Sequence, residues 1–267
     1  MRVIGCQTNI QWENPEANFV EIERLLEPQQ VEPDSLIVLP EMFATGFSMN
    51  VSRIANLRSA EQFLTRISIQ YQSWVVAGVV GEASDGRGSN RALVISPDGQ
   101  EIGSYTKIHP FTFGGENQHY APGGEVNIFE INGVKLCPFV CYDLRFPEIF
   151  RTAAVRGAEV FTVIANWPKA RSAHWTALLQ ARAIENQAFV LGVNRTGRDP
   201  HLEYDGQSAI VAPLGETLSR ANDEAGCVAA TLDLANLKQW REKFPALADA
   251  RHPFTPNGSG GTNRREA

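Results

Sequence analysis

The chain has 267 residues, of which 24 are basic and 30 are acidic, and its formal net charge is -6. Because Lys and Arg form no cluster, the chain offers no basic face for nucleic acid. No apolar run reaches the ~20 residues of a membrane span or the pattern of a secretory signal, so we expect a cytoplasmic protein that binds neither nucleic acid nor membranes.

The first half of the chain predicts strands that alternate with helices. Asn14, Pro15 and Glu16 supply a helix cap, a proline at the first helical position and an acid in the first turn. Apolar residues then recur at helical spacing. The remaining segments are predicted as a helix at 59–71 and as strands at 2–8, 35–40, 73–81, 91–96 and 101–105.

The second half begins with a long loop at 106–125 that contains two Gly-Gly pairs. Loops of this length inside a compact domain are usually functional. Farther along, Gly157 is suited to end one helix and Ser172 to cap the next. The predicted strands are 126–131, 134–140, 159–165, 188–193, 207–212 and 226–232, and the predicted helices are 146–156, 172–186 and 233–241.

This mixture of hairpins and crossovers predicts an α/β domain built in layers with mixed sheets. No internal repeat or domain linker is visible, so residues 1–255 are predicted to form a single domain. Residues 256–267 have the composition of a turn or linker, and we expect them to be disordered unless a partner subunit binds them.

Four cysteines lie in apolar segments far apart in the chain, at positions 6, 137, 141 and 227. They are too few and too scattered for a disulfide framework, which agrees with a reducing cytoplasm. Neither CxxC nor HxxxH occurs, so no structural zinc site is expected. We expect Cys6, Cys137 and Cys227 to be inert packing residues.

Three reactive side chains follow the ends of predicted strands: Glu41, Lys107 and Cys141. In layered α/β folds, sites gather at the carboxyl ends of strands, so one pocket can contain all three. Cys141 also precedes a helix, whose N-terminus would favour the thiolate. It is the natural nucleophile.

A free thiol titrates near pH ~8.5, so Cys141 needs a base at neutral pH. None of the five histidines has an obvious partner. Glu41 can serve if partial burial raises its pKa. Lys107 and the backbone N–H of Tyr142 can then stabilise the oxyanion of a tetrahedral intermediate.

Five segments resemble the nitrilase superfamily of carbon–nitrogen hydrolases. They are LPEMFATGF around Glu41, YTKIHPF around Lys107, CYDLRFPE from Cys141 onward, RAIENQ at 182–187 and NRTG at 194–197. The segments stand in the family's order and span about residues 3–233. Each motif alone is weak, whereas the set is highly specific.

The resemblance implies a four-layer α-β-β-α sandwich with two mixed sheets, a homodimer or higher homo-oligomer, and no metal or organic cofactor. It also implies a Glu–Lys–Cys triad at Glu41, Lys107 and Cys141, with Glu116 as a second glutamate near the lysine. Within the family the chain is most similar to bacterial ω-amidases, through PEMFATGFSM, NWPKARSAHW and WREKFP. Those enzymes hydrolyse the terminal amide of a small acid such as 2-oxoglutaramate through a cysteine thioester.

The substrate-binding residues are less constrained by the sequence. We expect Phe43, Tyr142 and Trp167 to line the pocket. Arg145 either grips a substrate carboxylate, which suits a guanidinium, or forms a buried ion pair with Asp143. His109 and His174 are expected to be structural hydrogen-bonding groups.

Three other functions remain open at this point. The chain could act on a nitrile, an N-carbamoyl amino acid or deaminated glutathione. It could be an inactive scaffold of the same fold, although the intact triad argues against this. It could also be a Cys–His protease, in which one histidine would be essential and Glu41 would not.

Overall fold

The computed structural model of the protein describes residues 1–250. The predicted boundary at residue 255 and the predicted tail at 256–267 lie outside this range. Within it, no helix is both long enough and apolar enough to cross a bilayer.

Strands and helices follow one another along the chain much as the sequence predicts. The strands are β1 (Arg2–Gln7), β2 (Leu36–Val38), β3 (Trp74–Glu82), β4 (Gly88–Ile95), β5 (Glu101–Thr106), β6 (Phe129–Ile131), β7 (Val134–Val140), β8 (Val160–Ala165), β9 (Phe189–Asn194), β10 (Thr196–Arg198), β11 (Glu203–Asp205), β12 (Ala209–Val211), β13 (Thr217–Arg220) and β14 (Gly226–Thr231). The helices are α1 (Pro15–Leu26), α2 (Val51–Ile54), α3 (Arg58–Tyr71), α4 (Glu116–His119), α5 (Pro147–Val155), α6 (Ser172–Asn186) and α7 (Leu234–Lys243).

Twelve of these strands form two six-stranded mixed sheets. The first has the order β14-β1-β2-β3-β4-β5 and the second the order β13-β12-β9-β8-β7-β6, while β10 and β11 form a separate hairpin. Read from β14 and from β6, both sheets show one antiparallel pair, two parallel pairs and two antiparallel pairs. The two halves therefore share a topology that the sequence did not reveal as a repeat.

The sheets pack face to face because their side chains alternate between two cores. In the first sheet, Val3 and Val38 point toward the second sheet, whereas Ile4 and Ile37 point outward and pack under α1 and α3. This period of two is what a strand buried on both faces requires. Helices α5 and α6 cover the second sheet. The predicted four-layer α-β-β-α sandwich is confirmed.

A local signal accounts for the start of α1, whereas a second one fails at α6. The side chain of Asn14 accepts a hydrogen bond from the N–H of Ala17 at 3.2 Å, and Pro15 is the first residue of α1, as predicted. The prediction that Ser172 caps a helix is wrong, because it is the first residue of α6 and its hydroxyl donates to Asp205.

The long loop is less irregular than predicted. It contains a 3-10 turn at Thr112–Gly114 and the short helix α4. These turns fold the loop back on itself and place Glu116 in the interior.

Candidate active site

The ends of four strands meet around one cavity. Glu41 follows β2 and Lys107 follows β5 of the first sheet, whereas Cys141 follows β7 and Asn166 follows β8 of the second sheet. All four residues line the cavity. The sandwich therefore brings Glu41, Lys107 and Cys141 into one cavity, as their positions at strand ends suggested. Lys107 lies 66 positions after Glu41, and Cys141 lies 34 positions after Lys107.

Glu41 is positioned by a tight crossing of its turn over β3. The N–H of Gly78 donates to the carbonyl of Pro40 at 3.1 Å, and the N–H of Phe43 donates to the carbonyl of Gly78 at 3.2 Å. A Cβ atom at residue 78 would lie 2.4 Å from the Cα of Glu41. Only glycine lets the two backbones approach this closely.

A buried ammonium group lies between two buried carboxylates. The Nζ of Lys107 is 3.0 Å from Oε1 of Glu41 and 2.8 Å from Oε2 of Glu116, and none of the three side chains is more than 1% exposed. Burial alone would lower the pKa of Lys107, but the charges of Glu116 and then Glu41 outweigh it and raise that pKa well above its usual value. The lysine therefore stays cationic, and the three groups together carry one negative charge.

Asn90 joins the two carboxylates from the other side. Its Nδ2 donates to Oε1 of Glu41 at 2.7 Å and to Oε1 of Glu116 at 2.9 Å. The backbone carbonyl oxygen of Asn90 accepts a hydrogen bond from the backbone N–H of Lys107 at 2.9 Å. Asn90 was not predicted as a site residue because it lies within β4 and not at a strand end.

The second oxygen of Glu41 is held by Asn166. The backbone N–H of Asn166 donates to this oxygen at 2.8 Å, and its Nδ2 donates to the carbonyl oxygen of Glu41 at 2.7 Å. Asn166 directly follows β8, which is the same kind of position that pointed to Glu41, Lys107 and Cys141, although Asn166 was not predicted.

These contacts determine the charge of Glu41. Burial raises the pKa of this carboxyl group, but the charge of Lys107 and the hydrogen bonds from Asn90 and Asn166 outweigh burial and bring the pKa below its usual value. The expectation of a raised pKa is therefore wrong. Glu41 is a carboxylate at neutral pH and can accept a proton without first losing one.

The thiol of Cys141 has the opposite tendency. Burial raises its pKa well above the usual value, the charge of Glu41 raises it further, and Lys107 and the N–H of Asn166 only partly offset these effects. The prediction that a helix N-terminus favours the thiolate is wrong, because the segment that follows is a single 3-10 turn, Cys141–Arg145. The surroundings of Cys141 therefore favour the protonated thiol at neutral pH.

The turn that presents Cys141 has an unusual backbone and is held by Asp143. The φ angle of Cys141 is 48°, in the left-handed region that costs energy for a residue with a side chain. Asp143 accepts the N–H of Val140 at 3.1 Å, the hydroxyl of Tyr105 at 2.8 Å and the N–H of His109 at 3.0 Å. The predicted ion pair of Asp143 with Arg145 is absent.

Residues from two of the sequence motifs hold the backbone of the segments that carry Cys141 and Asn166. From RAIENQ, Arg182 donates to the carbonyl of Leu144 at 2.7 Å and so holds the turn after the cysteine. From NRTG, the side chain of Asn194 accepts the N–H of Trp167 at 2.7 Å and donates to its carbonyl at 3.0 Å. This clamp fixes the backbone that carries Asn166.

The prediction that Phe43 lines the pocket is wrong. Its ring is fully buried on the outer face of the first sheet, 6.0 Å from the ring of Phe19 and 5.9 Å from that of Phe63. Phe47, four residues later, lines the cavity instead, and the Nζ of Lys107 lies 5.3 Å from its ring centre. The turn after Glu41 reverses the direction of the chain, which no periodic pattern would indicate.

Two guanidinium groups stand at the wall of the cavity. Arg145 lies 4.8 Å from the ring centre of Trp167 and 3.2 Å from Nδ1 of His174, and Arg171 lies 5.4 Å from the ring centre of Phe111. The three residues Arg145, Trp167 and Tyr142 line the cavity, as predicted. Arg171 also lines it, although it was not predicted as a site residue. Neither arginine has a carboxylate partner within residues 1–250.

Aromatic rings complete the wall. The ring of Tyr142 packs against Phe111 at 5.0 Å, and Tyr204 enters from the β10–β11 hairpin. The hydroxyl of Tyr204 donates to Asp199 at 2.6 Å, and its ring lies 4.4 Å from the guanidinium of the buried Arg195. Tyr204 was not predicted as a site residue because its hairpin is too short for a clear periodic pattern.

The site thus combines a thiol, a carboxylate and an ammonium group in a largely buried cavity. No histidine of the described range lines it, and no group of three or more His, Cys, Asp or Glu side chains in that range is placed to hold a metal ion. A thiol nucleophile with a carboxylate base and a cationic oxyanion partner is the equipment of a hydrolase that works through an acyl-enzyme.

Comparison with known proteins identifies the class. Residues 2–242 match the carbon–nitrogen hydrolase family, and the chain belongs to this family of cysteine-dependent amidohydrolases. The resemblance seen in the sequence motifs is confirmed.

Similar proteins cover nearly the whole chain. A 2-oxoglutaramate amidase of Bacillus subtilis is 36% identical, covering 93% of this chain and 97% of the relative. An omega-amidase of Yersinia enterocolitica is 40% identical, covering 93% of this chain and 96% of the relative. The crystal structure of a Xanthomonas campestris CN-hydrolase superfamily protein with an arsenic adduct in its active site has a TM-score of 0.88 and 33% identity, covering 94% of this chain and 97% of the other.

The charges of the site predict how Cys141 responds to loss of its neighbour. Because the carboxylate of Glu41 raises the pKa of the thiol, Glu41→Gln should lower that pKa. The rate of alkylation of Cys141 by iodoacetamide, followed by mass spectrometry, should reach half its maximum at a lower pH than in the unchanged protein.

Glu148→Gln is the matched control, because Glu148 is an exposed acid in the first turn of α5. Glu148→Gln should not change the pH at which the alkylation rate of Cys141 reaches half its maximum, which is the midpoint of the profile. A midpoint that stays or rises in Glu41→Gln would show that the charge of Glu41 does not act on the thiol.

Proposed function

We propose that this protein is an ω-amidase, which hydrolyses the terminal carboxamide of a small 2-oxo acid such as 2-oxoglutaramate to 2-oxoglutarate and ammonia. The observation that carries the proposal is the pair of guanidinium groups, Arg145 and Arg171, in the same cavity as Cys141. The names of the Bacillus and Yersinia relatives support it.

Attack on the amide begins with transfer of the thiol proton to Glu41. A free thiolate beside the existing net negative charge would place two uncompensated charges in a buried site, which is costly. The proton therefore moves to the carboxylate as the sulfur bonds to the amide carbon. Substrate binding also displaces water, which strengthens the interactions within the cavity.

The oxyanion that forms is stabilised by Lys107 and by the backbone N–H of Tyr142. An ammonium group has three protons, and in the resting site Lys107 directs them to Glu41 and to both oxygens of Glu116. One N–H of Lys107 is enough to hold Glu116, which leaves another N–H free to donate to the oxyanion. The N–H of Tyr142 lies in the first turn of a 3-10 helix, where backbone donors have no partner within the helix.

The remaining steps return the site to its starting state. Glu41 gives its proton to the leaving nitrogen, the carbon–nitrogen bond breaks, and ammonia departs from a Cys141 thioester. Glu41 then takes a proton from a water molecule as the oxygen of that water attacks the carbonyl carbon of the thioester. Collapse of this second intermediate releases the carboxylic acid, and the proton held by Glu41 returns to the sulfur.

Charge selects the other end of the substrate. Arg145 and Arg171 both lack an acidic partner in the described range, and aromatic rings hold their planes. A guanidinium binds a carboxylate with two parallel hydrogen bonds. Two such cations repel an ammonium group, so the pocket favours a 2-oxo acid over the corresponding 2-amino acid, for which glutamine is the test compound.

A panel of amides tests the proposed activity through the release of ammonia. We expect 2-oxoglutaramate and 2-oxosuccinamate to be hydrolysed with a higher kcat/KM than glutamine, butyramide, an N-carbamoyl amino acid or a nitrile. Cys141→Ala should reduce turnover to background and leave the circular dichroism spectrum unchanged. Equal rates for 2-oxoglutaramate and butyramide, or normal turnover by Cys141→Ala, would contradict the proposal.

The two arginines can be tested separately from the chemistry. Arg145→Met and Arg171→Met should each lower kcat/KM for 2-oxoglutaramate by about 10- to 100-fold, because each removes a charge-assisted contact of about 1.5–3 kcal/mol. The rate with butyramide, which has no carboxylate, should change little.

Lys169→Met is the control for charge near the pocket. Lys169 lies on the same 3-10 turn as Arg171 but is exposed and outside the cavity. The variant should keep its kcat/KM for both substrates. If Arg171→Met lowers both rates equally, the residue supports the pocket wall and does not recognise the carboxylate.

We further propose that the protein is a cytoplasmic homodimer. Val155 on α5 and Ile184 on α6 are apolar and each 50% exposed on the outer helical layer of the second sheet, which suits burial against a second copy. Light scattering should give the mass of two chains, and Ile184→Lys should shift it toward one. A single-chain mass for the unchanged protein would contradict the dimer.

A further inference from the structure

Two cysteines outside the active site face each other across neighbouring strands. Cys6 on β1 is in register with Cys227 on β14, and the two strands are antiparallel. Their sulfur atoms are 3.7 Å apart. Both lie on the outer face of the first sheet, where the sulfur of Cys227 is 3.5 Å from the carbonyl of Leu25 in α1. Neither lines the active-site cavity.

The backbone already satisfies the distance that a disulfide requires. Residues directly opposite each other on antiparallel strands have Cα atoms about 4.5–5.5 Å apart, within the range of about 4.4–6.8 Å found for disulfides. The sulfur atoms must approach to about 2.05 Å. Rotation of two side chains provides most of this change, and the strands can keep their pairing.

The two thiols differ in their readiness to react. Cys227 is partly exposed, whereas Cys6 is fully buried. The contact between the two sulfur atoms lowers the pKa of Cys227 against the effect of burial, and the charge of Arg24 lowers it further. The same contact, with burial, raises the pKa of Cys6 well above its usual value. Cys227 is therefore the thiol that an oxidant meets first.

We propose that Cys6 and Cys227 form an oxidative modification site, a dithiol that a hydroperoxide converts into a cross-strand disulfide. The thiolate of Cys227 attacks the outer oxygen of the peroxide, the oxygen–oxygen bond breaks, and an alcohol or water leaves. The resulting sulfenic acid is attacked by the sulfur of Cys6. Water departs as the disulfide forms, so that two thiols are oxidised and one peroxide is reduced.

The disulfide would connect the two ends of the domain. Between Cys6 and Cys227 lie 220 residues, so the bond would close most of the chain into one loop. Cross-links that close long loops restrict the unfolded chain most. Because β1 and β14 are already paired in the folded protein, we expect a gain in stability without a change in activity.

Counting thiols tests the proposal with the full chain. Cys141→Ala is used as the background, so that oxidation of the active site does not interfere, and three cysteines remain. After treatment with hydrogen peroxide, denaturation and alkylation, the reduced protein should carry three alkyl groups and the oxidised protein one, on Cys137. Peptide mapping should find the β1 peptide linked to the β14 peptide.

Two double variants are the matched controls. Cys141→Ala with Cys227→Ser should carry two alkyl groups before and after peroxide. Cys141→Ala with Cys137→Ser should change from two groups to none, because Cys137 is buried in a different core and takes no part. In the Cys141→Ala background, oxidation should raise Tm by about 5–15 °C, and the added Cys227→Ser change should abolish this shift. In the protein with Cys141 intact, Cys227→Ser should leave the activity of the reduced enzyme unaltered.

Three results would overturn the proposal. The first is a sulfenic, sulfinic or sulfonic acid on Cys227 with Cys6 still alkylated. The second is a set of linkages in which Cys137 appears as often as Cys6, which would indicate pairing in unfolded chains. The third is no change at either cysteine at a peroxide concentration that oxidises Cys141 in the unchanged protein.

Discussion

The site depends on one buried ion cluster, the ammonium group of Lys107 between the carboxylates of Glu41 and Glu116. Each of these charges would be too costly to bury alone, and each is stable only while the others are in place. Asn90 ties the two carboxylates together and also accepts the backbone N–H of the lysine. The cluster therefore links β2, β4, the residue after β5 and the loop that contains α4, and removal of one partner would disturb all of them.

The net negative charge of this cluster determines the state of the nucleophile. It keeps Glu41 ionised, because the charge of Lys107 and the hydrogen bonds from Asn90 and Asn166 favour the carboxylate. It keeps Cys141 protonated, because a second negative charge beside Glu41 is unfavourable. This arrangement differs from a thiolate–imidazolium pair, in which the nucleophile is ionised before the substrate arrives. Here the thiol would become reactive only as its proton moves to Glu41, which links activation to the presence of a correctly placed carbonyl carbon.

The cavity has a second, opposite polarity at its wall. Arg145 and Arg171 are cations whose planes pack against Trp167 and Phe111, and neither has an acidic partner in the described part of the chain. A ligand with an amide at one end and a carboxylate at the other matches both regions. This match is the physical basis of the proposed ω-amidase activity, and it separates the chemistry at Cys141, which is common to the family, from the recognition of a particular substrate.

The sequence by itself determined the layered fold and the family, because buried strands have a clear period and the motifs stand in the family's order. It also indicated that one pocket can contain Glu41, Lys107 and Cys141, because each follows the end of a predicted strand. It also indicated Glu116, through the resemblance. Only the tertiary structure decided that Asn90 and Asn166 hold the cluster, that Phe47 and not Phe43 reaches the cavity, and that Arg171 and Tyr204 line it. It also reversed the expected pKa of Glu41 and placed Cys6 opposite Cys227. These features depend on contacts between distant segments, on turns that reverse the chain, and on the sum of burial and nearby charge, none of which a local pattern of residues contains.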